Sequence, residues 1–142
     1  MQSTIDFTEL AHAMGDAVIV SDAAGDITFW NGAAERIFGF TAGDALGQSL
    51  DIIIPEKQRA RHWQGYHETM RTGQTRYGAD LLKVPALHKD GRPLSIAFTV
   101  ALLQGTGGGS PAIVAVVRDE TERWAKERAL KKRVSELEAQ SV

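Results

Sequence analysis

Ala17-Val-Ile-Val-Ser-Asp-Ala-Ala-Gly-Asp-Ile-Thr-Phe-Trp-Asn31 sets two short apolar runs on either side of a polar, glycine-bearing turn. Ala17–Ser21 is rich in β-branched residues and reads as a strand. Asp22–Asp26 reads as a turn, with Gly25 where a positive φ is required. Ile27–Trp30 is the returning strand, so the stretch is a hairpin. Asn31 can then cap a helix through Ala33, Ala34 and Phe38, because its side-chain oxygen satisfies free amides at a helix start.

Working outward, Phe7, Leu10, Ala11 and Met14 recur at helical spacing, which predicts a short amphipathic helix over residues 4–14. After the capped helix come short segments, Thr41–Leu46 and Ser49–Ile53, each one or two helical turns. Pro55 stops the second and suits the first turn of the main helix, residues 55–72, with Gly73 at its C-cap. Three strands follow, at about 77–86, 93–103 and 111–118. His88-Lys-Asp-Gly91 joins the first two as a tight hairpin. Ile96, Phe98, Val100 and Leu102 alternate with smaller residues, so this larger set faces the interior. From Glu120 the chain is charged and helical. Leu130, Val134 and Leu137 have heptad spacing, although Glu127 and Ser141 occupy the adjoining seam positions.

Helix, two strands, several helices, three strands and a last helix make an α+β fold, a five-stranded antiparallel sheet with helices on one face. The expected division is an N-terminal helical cap at 1–15, the domain proper at 16–119, and a C-terminal signalling or dimerisation helix at 120–142.

The 142 residues suffice for one domain with a real core. Hydrophobic residues make up 43%, charged residues 24%, and the net charge is −2. That balance gives no sign of a nucleic-acid surface. No apolar run is long enough to span a membrane and no signal segment opens the chain, so a cytoplasmic protein, or a piece of a larger one, is expected. With no cysteine, disulfides, thiolate metal sites, cysteine nucleophiles and cysteine–flavin adducts are excluded. Gly105-Thr-Gly-Gly-Gly109 lacks the Lys-Ser/Thr and helix of a phosphate loop. No carboxylate pair or Ser/His/Asp set stands out, so a non-enzymatic module is expected.

The main helix carries the chemistry. In it, His62 lies beside Trp63, Tyr66 and Met70, where an imidazole can hold a metal cofactor in an otherwise apolar cavity. Helical geometry leaves a choice: the apolar stripe is Trp63, Tyr66 and Met70, with His62 on one flank and His67 on the other. A solvated surface histidine is the alternative for either. His12 and His88 read as solvated, Met70 as core filler or a minor axial candidate, and Asp119 as a structural contact between the last strand and helix.

Five pieces in order resemble the PAS domain family: Asp16-Ala-Val-Ile-Val-Ser-Asp22, Gly25-Asp-Ile-Thr-Phe-Trp-Asn31, Ala34-Glu-Arg-Ile-Phe-Gly39, Lys89-Asp-Gly91 and Arg118-Asp-Glu-Thr121. The resemblance covers about residues 8–122. Within the family, Ile54-Pro-Glu-Lys-Gln-Arg-Ala-Arg-His62 looks like the haem-binding branch. It is similar to a run in rhizobial oxygen-sensor kinases whose histidine binds haem iron. Arg61-His-Trp63, Thr75-Arg-Tyr-Gly78 and Val84-Pro-Ala-Leu-His-Lys-Asp-Gly91 resemble the haem PAS domains of RcoM-type carbon-monoxide-sensing regulators more closely.

The resemblance implies haem b as cofactor, with His62 as the iron ligand. Trp63, Tyr66, Met70, Leu82, Ile96, Phe98 and Val100 would line its cavity, with Leu102, Ile52 and Ile53 adding to the walls. Arg76, Lys83 and Arg92 are candidates for the propionates. Two departures concern the sixth iron position. The oxygen-sensor kinases place an arginine over bound oxygen, and counting from the Asp-Gly turn puts that position near Leu82. The RcoM-type proteins place a methionine just after that turn, where this chain reads Arg92-Pro93-Leu94. A wall without a hydrogen-bond donor favours CO over O₂, because bound O₂ carries negative charge and CO little. The expected ligand is therefore a diatomic gas, CO ahead of NO or O₂, or else a redox signal.

The resemblance also implies a homodimer and an output domain or partner protein, with no direct nucleic-acid contact and no membrane contact. The alternative function is a haem-free PAS module for small-molecule binding or dimerisation. Weak adventitious peroxidase activity at an open iron is a third possibility.

Overall fold

A computed structural model describes residues 4–75, 80–105 and 109–141. Five strands form one antiparallel sheet: β1 (Ala17–Ser21), β2 (Ile27–Trp30), β3 (Leu82–Leu87), β4 (Pro93–Leu103) and β5 (Ala112–Asp119), in the order β2-β1-β5-β4-β3. The centre is the β1–β5 pair, where Ala17 lies opposite Val117 and Ser21 opposite Ile113. The ends of the domain therefore meet in the middle of the sheet. At that junction Arg118 donates through Nε and one terminal nitrogen to the two Asp16 carboxylate oxygens, at 3.2 and 3.1 Å.

Registered pairs share a face of an antiparallel sheet. Ile19, Ala115 and Val100 form one row; Val117, Phe98 and Leu82 form the next. This is the inner face. Ala17, Ile19, Ile27, Trp30, Leu94, Ile96, Ile113 and Val117 pack there with Phe38, Ala45, Leu50 and Tyr66 into one core. The larger side chains of β4 turn inward, as their alternation requires.

The helices covering that face are α2 (Gly32–Phe38), α3 (Ala42–Ala45), a 3-10 turn (Leu50–Ile53) and α4 (Glu56–Thr72). Asn31 caps α2 by accepting from the Ala34 amide at 3.0 Å. The same oxygen accepts from Val18, and the Asn31 amide donates to the carbonyls of Ala11 and Asp16. One fully buried side chain thus joins the N-terminal segment, β1 and α2. Gly73 ends α4 as its left-handed cap.

Two helices flank the domain: α1 (Phe7–Ala13) and α5 (Thr121–Gln140). On α1, Asp6 is the cap, accepting from Thr8 and Glu9. The apolar stripe of α1 is not buried: Phe7, Leu10 and Met14 are exposed, and Ala11 is half-covered. On α5, Leu130, Val134 and Leu137 are likewise exposed. Asp119 accepts from the Thr121 amide at 2.9 Å, the structural contact expected of it.

Two local readings change. β3 begins at Leu82, because as an edge strand it pairs only with the first half of β4, and residues 77–79 lie outside the described set. His88 is not solvated: its ring lies against Gly39, where a Cβ would come within 2.5 Å of it. The hairpin tip is docked there by the Lys89 amide donating to the Phe38 carbonyl.

Candidate functional site

The candidate ligand helix is fastened at its middle. Trp63 Nε1 donates to Asp51 Oδ1 at 2.7 Å, linking α4 to the 3-10 turn before it. The indole covers Gly25 so closely that a Cβ there would overlap its ring carbons. One turn further on, the Tyr66 hydroxyl bonds the Asp22 carbonyl and Ser21 Oγ. A carbonyl can only accept, so Tyr66 donates to it and the Ser21 hydroxyl completes the pair by donating to Tyr66. Tyr66 is the buried residue of α4, and burial pushes its phenol above the ordinary range, with the Ser21 bond opposing. Trp63 and Tyr66 therefore hold α4 to the β1–β2 turn.

His62 stands next to these fasteners and is half-buried. Its ring meets Trp63 edge-on at 4.6 Å between centroids and Tyr66 at 5.7 Å. Its Nδ1 is buried with no hydrogen-bond partner. Burial pushes the imidazole below its ordinary pKa, Asp51 opposes this, and His67 adds to the lowering. The neutral ring is thus the resident form near pH 7, the form able to donate a lone pair to a metal. His67 is exposed and stacks on Trp63 at 5.9 Å.

The expected wall residues of β3 and β4 share the inner sheet surface. Ile96 is buried in the core, whereas Leu82, Phe98 and Val100 are only half-covered, as are Met70, Ile52 and Ile53. The basic candidates separate. Lys83 pairs with Ala97 and so occupies the outer sheet face, turned away from Leu82 and Phe98. Arg92 lies 3.5 Å from Asp90 within the docked hairpin turn. Arg76 lies outside the described residues.

Two contributors carry no role in the sequence reading. Asp51 both accepts from Trp63 and biases His62 electrostatically. Gln58 buries an unpartnered Oε1, and its i−4 spacing from His62 is the signal that could have found it.

Among the described residues, no three His, Cys, Asp or Glu side chains gather as a metal cage.

The PAS-fold family matches residues 5–119. The chain belongs to the PAS family. PAS domains are sensor modules, and the five-stranded sheet with its covering helices is that fold. This PAS domain is 33% identical over 129 residues to the sensor protein FixL of Bradyrhizobium diazoefficiens, covering 90% of this chain and 25% of that one. It is 26% identical over 122 residues to the oxygen sensor protein DosP of Escherichia coli, covering 86% and 15%. An uncharacterized Azorhizobium caulinodans protein is 38% identical over 118 residues, covering 82% and 16%. The chain spans a quarter or less of these relatives. Among solved structures, a PAS domain from Colwellia psychrerythraea superposes with a TM-score of 0.70 at 21% identity, covering 82% of this chain and 95% of that one. Among the described residues no helix is long and apolar enough to cross a membrane.

Proposed function

We propose that this PAS domain is a haem-based sensor of a diatomic gas, of the carbon-monoxide-sensing RcoM type, with His62 as the axial ligand. The observation that carries this reading is His62 itself: a half-buried, neutral imidazole whose Nδ1 has no protein partner. Leaving a buried polar atom unpaired costs about 1–3 kcal/mol, so such an atom marks a site completed by something else. The name of DosP, an oxygen sensor, supports the same class of activity.

The residues present fit haem b. His62 would hold its iron, with Trp63, Tyr66 and Met70 beside it and Leu82, Ile96, Phe98 and Val100 facing it. Bound there, haem supplies an iron that takes a small gas and changes its ligation on doing so. Trp63 and Tyr66 fix the helix bearing the ligand, and the apolar wall excludes water. No donor stands at Leu82, and Arg92 is paired with Asp90, which favours CO over dioxygen.

The signal would leave through β5. Its end is clamped to β1 by Arg118 and Asp16, and Glu120 and Thr121 bond Ser95 of β4 as α5 begins. A shift of β4 or β5 would thus move the root of α5 and bias two states of an attached partner. The uncovered stripes of α1 and α5 support a homodimer in which these helices meet a second copy. Haem titration of the purified protein tests the function: a Soret band that grows to one haem per chain is expected, and its absence leaves a haem-free sensing or dimerisation module.

A further inference from the structure

The outer face of the sheet is bracketed by an apolar stripe at one edge and an apolar groove at the other. At the β2 edge α1 touches its own domain through His12, whose ring lies 4.9 Å from Phe29, and through Ala11, whose carbonyl is held by Asn31. Phe7, Leu10 and Met14, spaced i, i+3 and i+7, lie on the side of α1 away from His12, and all three are exposed. At the other edge a groove of about 590 Å³ runs between β3–β4 and the root of α5, lined by Lys83, Pro85, Pro93, Arg123, Trp124 and Arg128. Trp124 is 50% exposed there. Between stripe and groove lies the registered row Val20, Val114 and Ala101, which carries no charge.

The charges complement each other. The first 35 residues hold no lysine or arginine, and α1 brings Asp6 and Glu9. Asp6 sits one turn before Leu10, beside the stripe. In the groove Arg123 is paired with Glu127, and Glu120 acts on Arg118. Arg128 lies over the Trp124 ring at 5.1 Å. Among the described residues neither Lys83 nor Arg128 has a carboxylate partner. The chain's own α1 cannot fill the groove: it is tied beside β2, three strand spacings, roughly 14 Å, from β4.

We propose that α1 of a second copy occupies this groove, with Phe7, Leu10 and Met14 against Trp124, Pro85 and Pro93, and Asp6 beside Lys83 and Arg128. An amphipathic helix docks in an apolar groove through anchors of this spacing, opposite charges fix its register, and a two-fold axis forms the same seat twice. The assignment rests on the homodimer reading, not on haem uptake. It pairs α1 with the sheet and the α5 root of the other copy, not with the other α1. Glu120 and Thr121 also line the groove and bond Ser95, so the second copy's helix sits on the joint between β4 and α5.

The test exploits a chain without cysteine, in which single introduced cysteines report contacts between copies. Leu10→Cys and Lys83→Cys chains are treated with a short bis-maleimide, each alone and mixed, and products are identified by mass. The mixed covalent dimer should dominate. In sedimentation equilibrium the unsubstituted chain should be a dimer that weakens with salt. Trp124→Ala and Phe7→Glu, both at exposed positions, should each raise its dissociation constant about tenfold or more. A dimer that cross-links only within Leu10→Cys, that gives no mixed product, or that is undiminished in Trp124→Ala would overturn the groove as the seat while keeping the homodimer. A monomeric unsubstituted chain would overturn both.

Discussion

The indole of Trp63 lies directly on Gly25, so the helix that carries His62 is seated on the turn of the first hairpin. Gly25 has φ +87°, a conformation that side-chain-bearing residues rarely adopt. Backbone and contact thus demand glycine together. Gly25→Ala should destabilise the fold by about 2 kcal/mol or more, read by urea denaturation, and should shift Trp63 fluorescence. An alanine variant as stable as the parent would mean that the indole is not seated there.

Asn31→Ala should be more severe. Asn31 is fully buried, and its side chain serves the Val18 and Ala34 amides and the Ala11 and Asp16 carbonyls. Their release should cost about 3 kcal/mol and expose α1 to proteolysis before the sheet, seen by limited digestion.

The pH dependence follows from His62. Its folded-state pKa lies below the ordinary value of 6.5, so between the two values the unfolded chain binds more protons than the folded one. Stability from this group is complete above the ordinary value and is lost as pH falls toward the folded one. Metal-free protein should therefore weaken on acidification below pH 6.5, and His62→Leu should flatten that slope. Denaturant midpoints measured across roughly pH 5 to 8, the range in which histidines titrate, would show it.

Much of the fold is legible because local chemistry agrees with tertiary need. Asn31, Pro55 and Gly73 mark real helix limits, and the alternation in β4 identifies its inner face. The β1–β5 pairing is not legible, since contacts between residues about 100 apart leave no local periodicity. The site is partly legible. His62 and His67 flank the same stripe, and only packing shows that one ring is half-buried and the other exposed. Lys83 is turned to the outer face by the strand's two-residue alternation, which sets it opposite to Leu82 and is already implicit in the strand expected at about 77–86. Gln58 lies one helical turn before His62, but an amide at that spacing carries no weight until the structure shows its oxygen buried and unpaired.

At Leu82 the wall lacks a donor. Leu82→Arg would add one beside Phe98 on the inner face. The ratio of O₂ to CO dissociation constants in ferrous, haem-loaded protein should shift toward O₂ by about tenfold or more. An unchanged ratio would place Leu82 away from the gas.

Most direct is a haem titration followed by Soret absorbance in the unsubstituted chain, His62→Ala and His67→Ala. One haem per chain, retained in His67→Ala and abolished or greatly weakened in His62→Ala, is the expected result. Normal uptake by His62→Ala, or none by the unsubstituted chain, would contradict the assignment of His62 as the iron ligand.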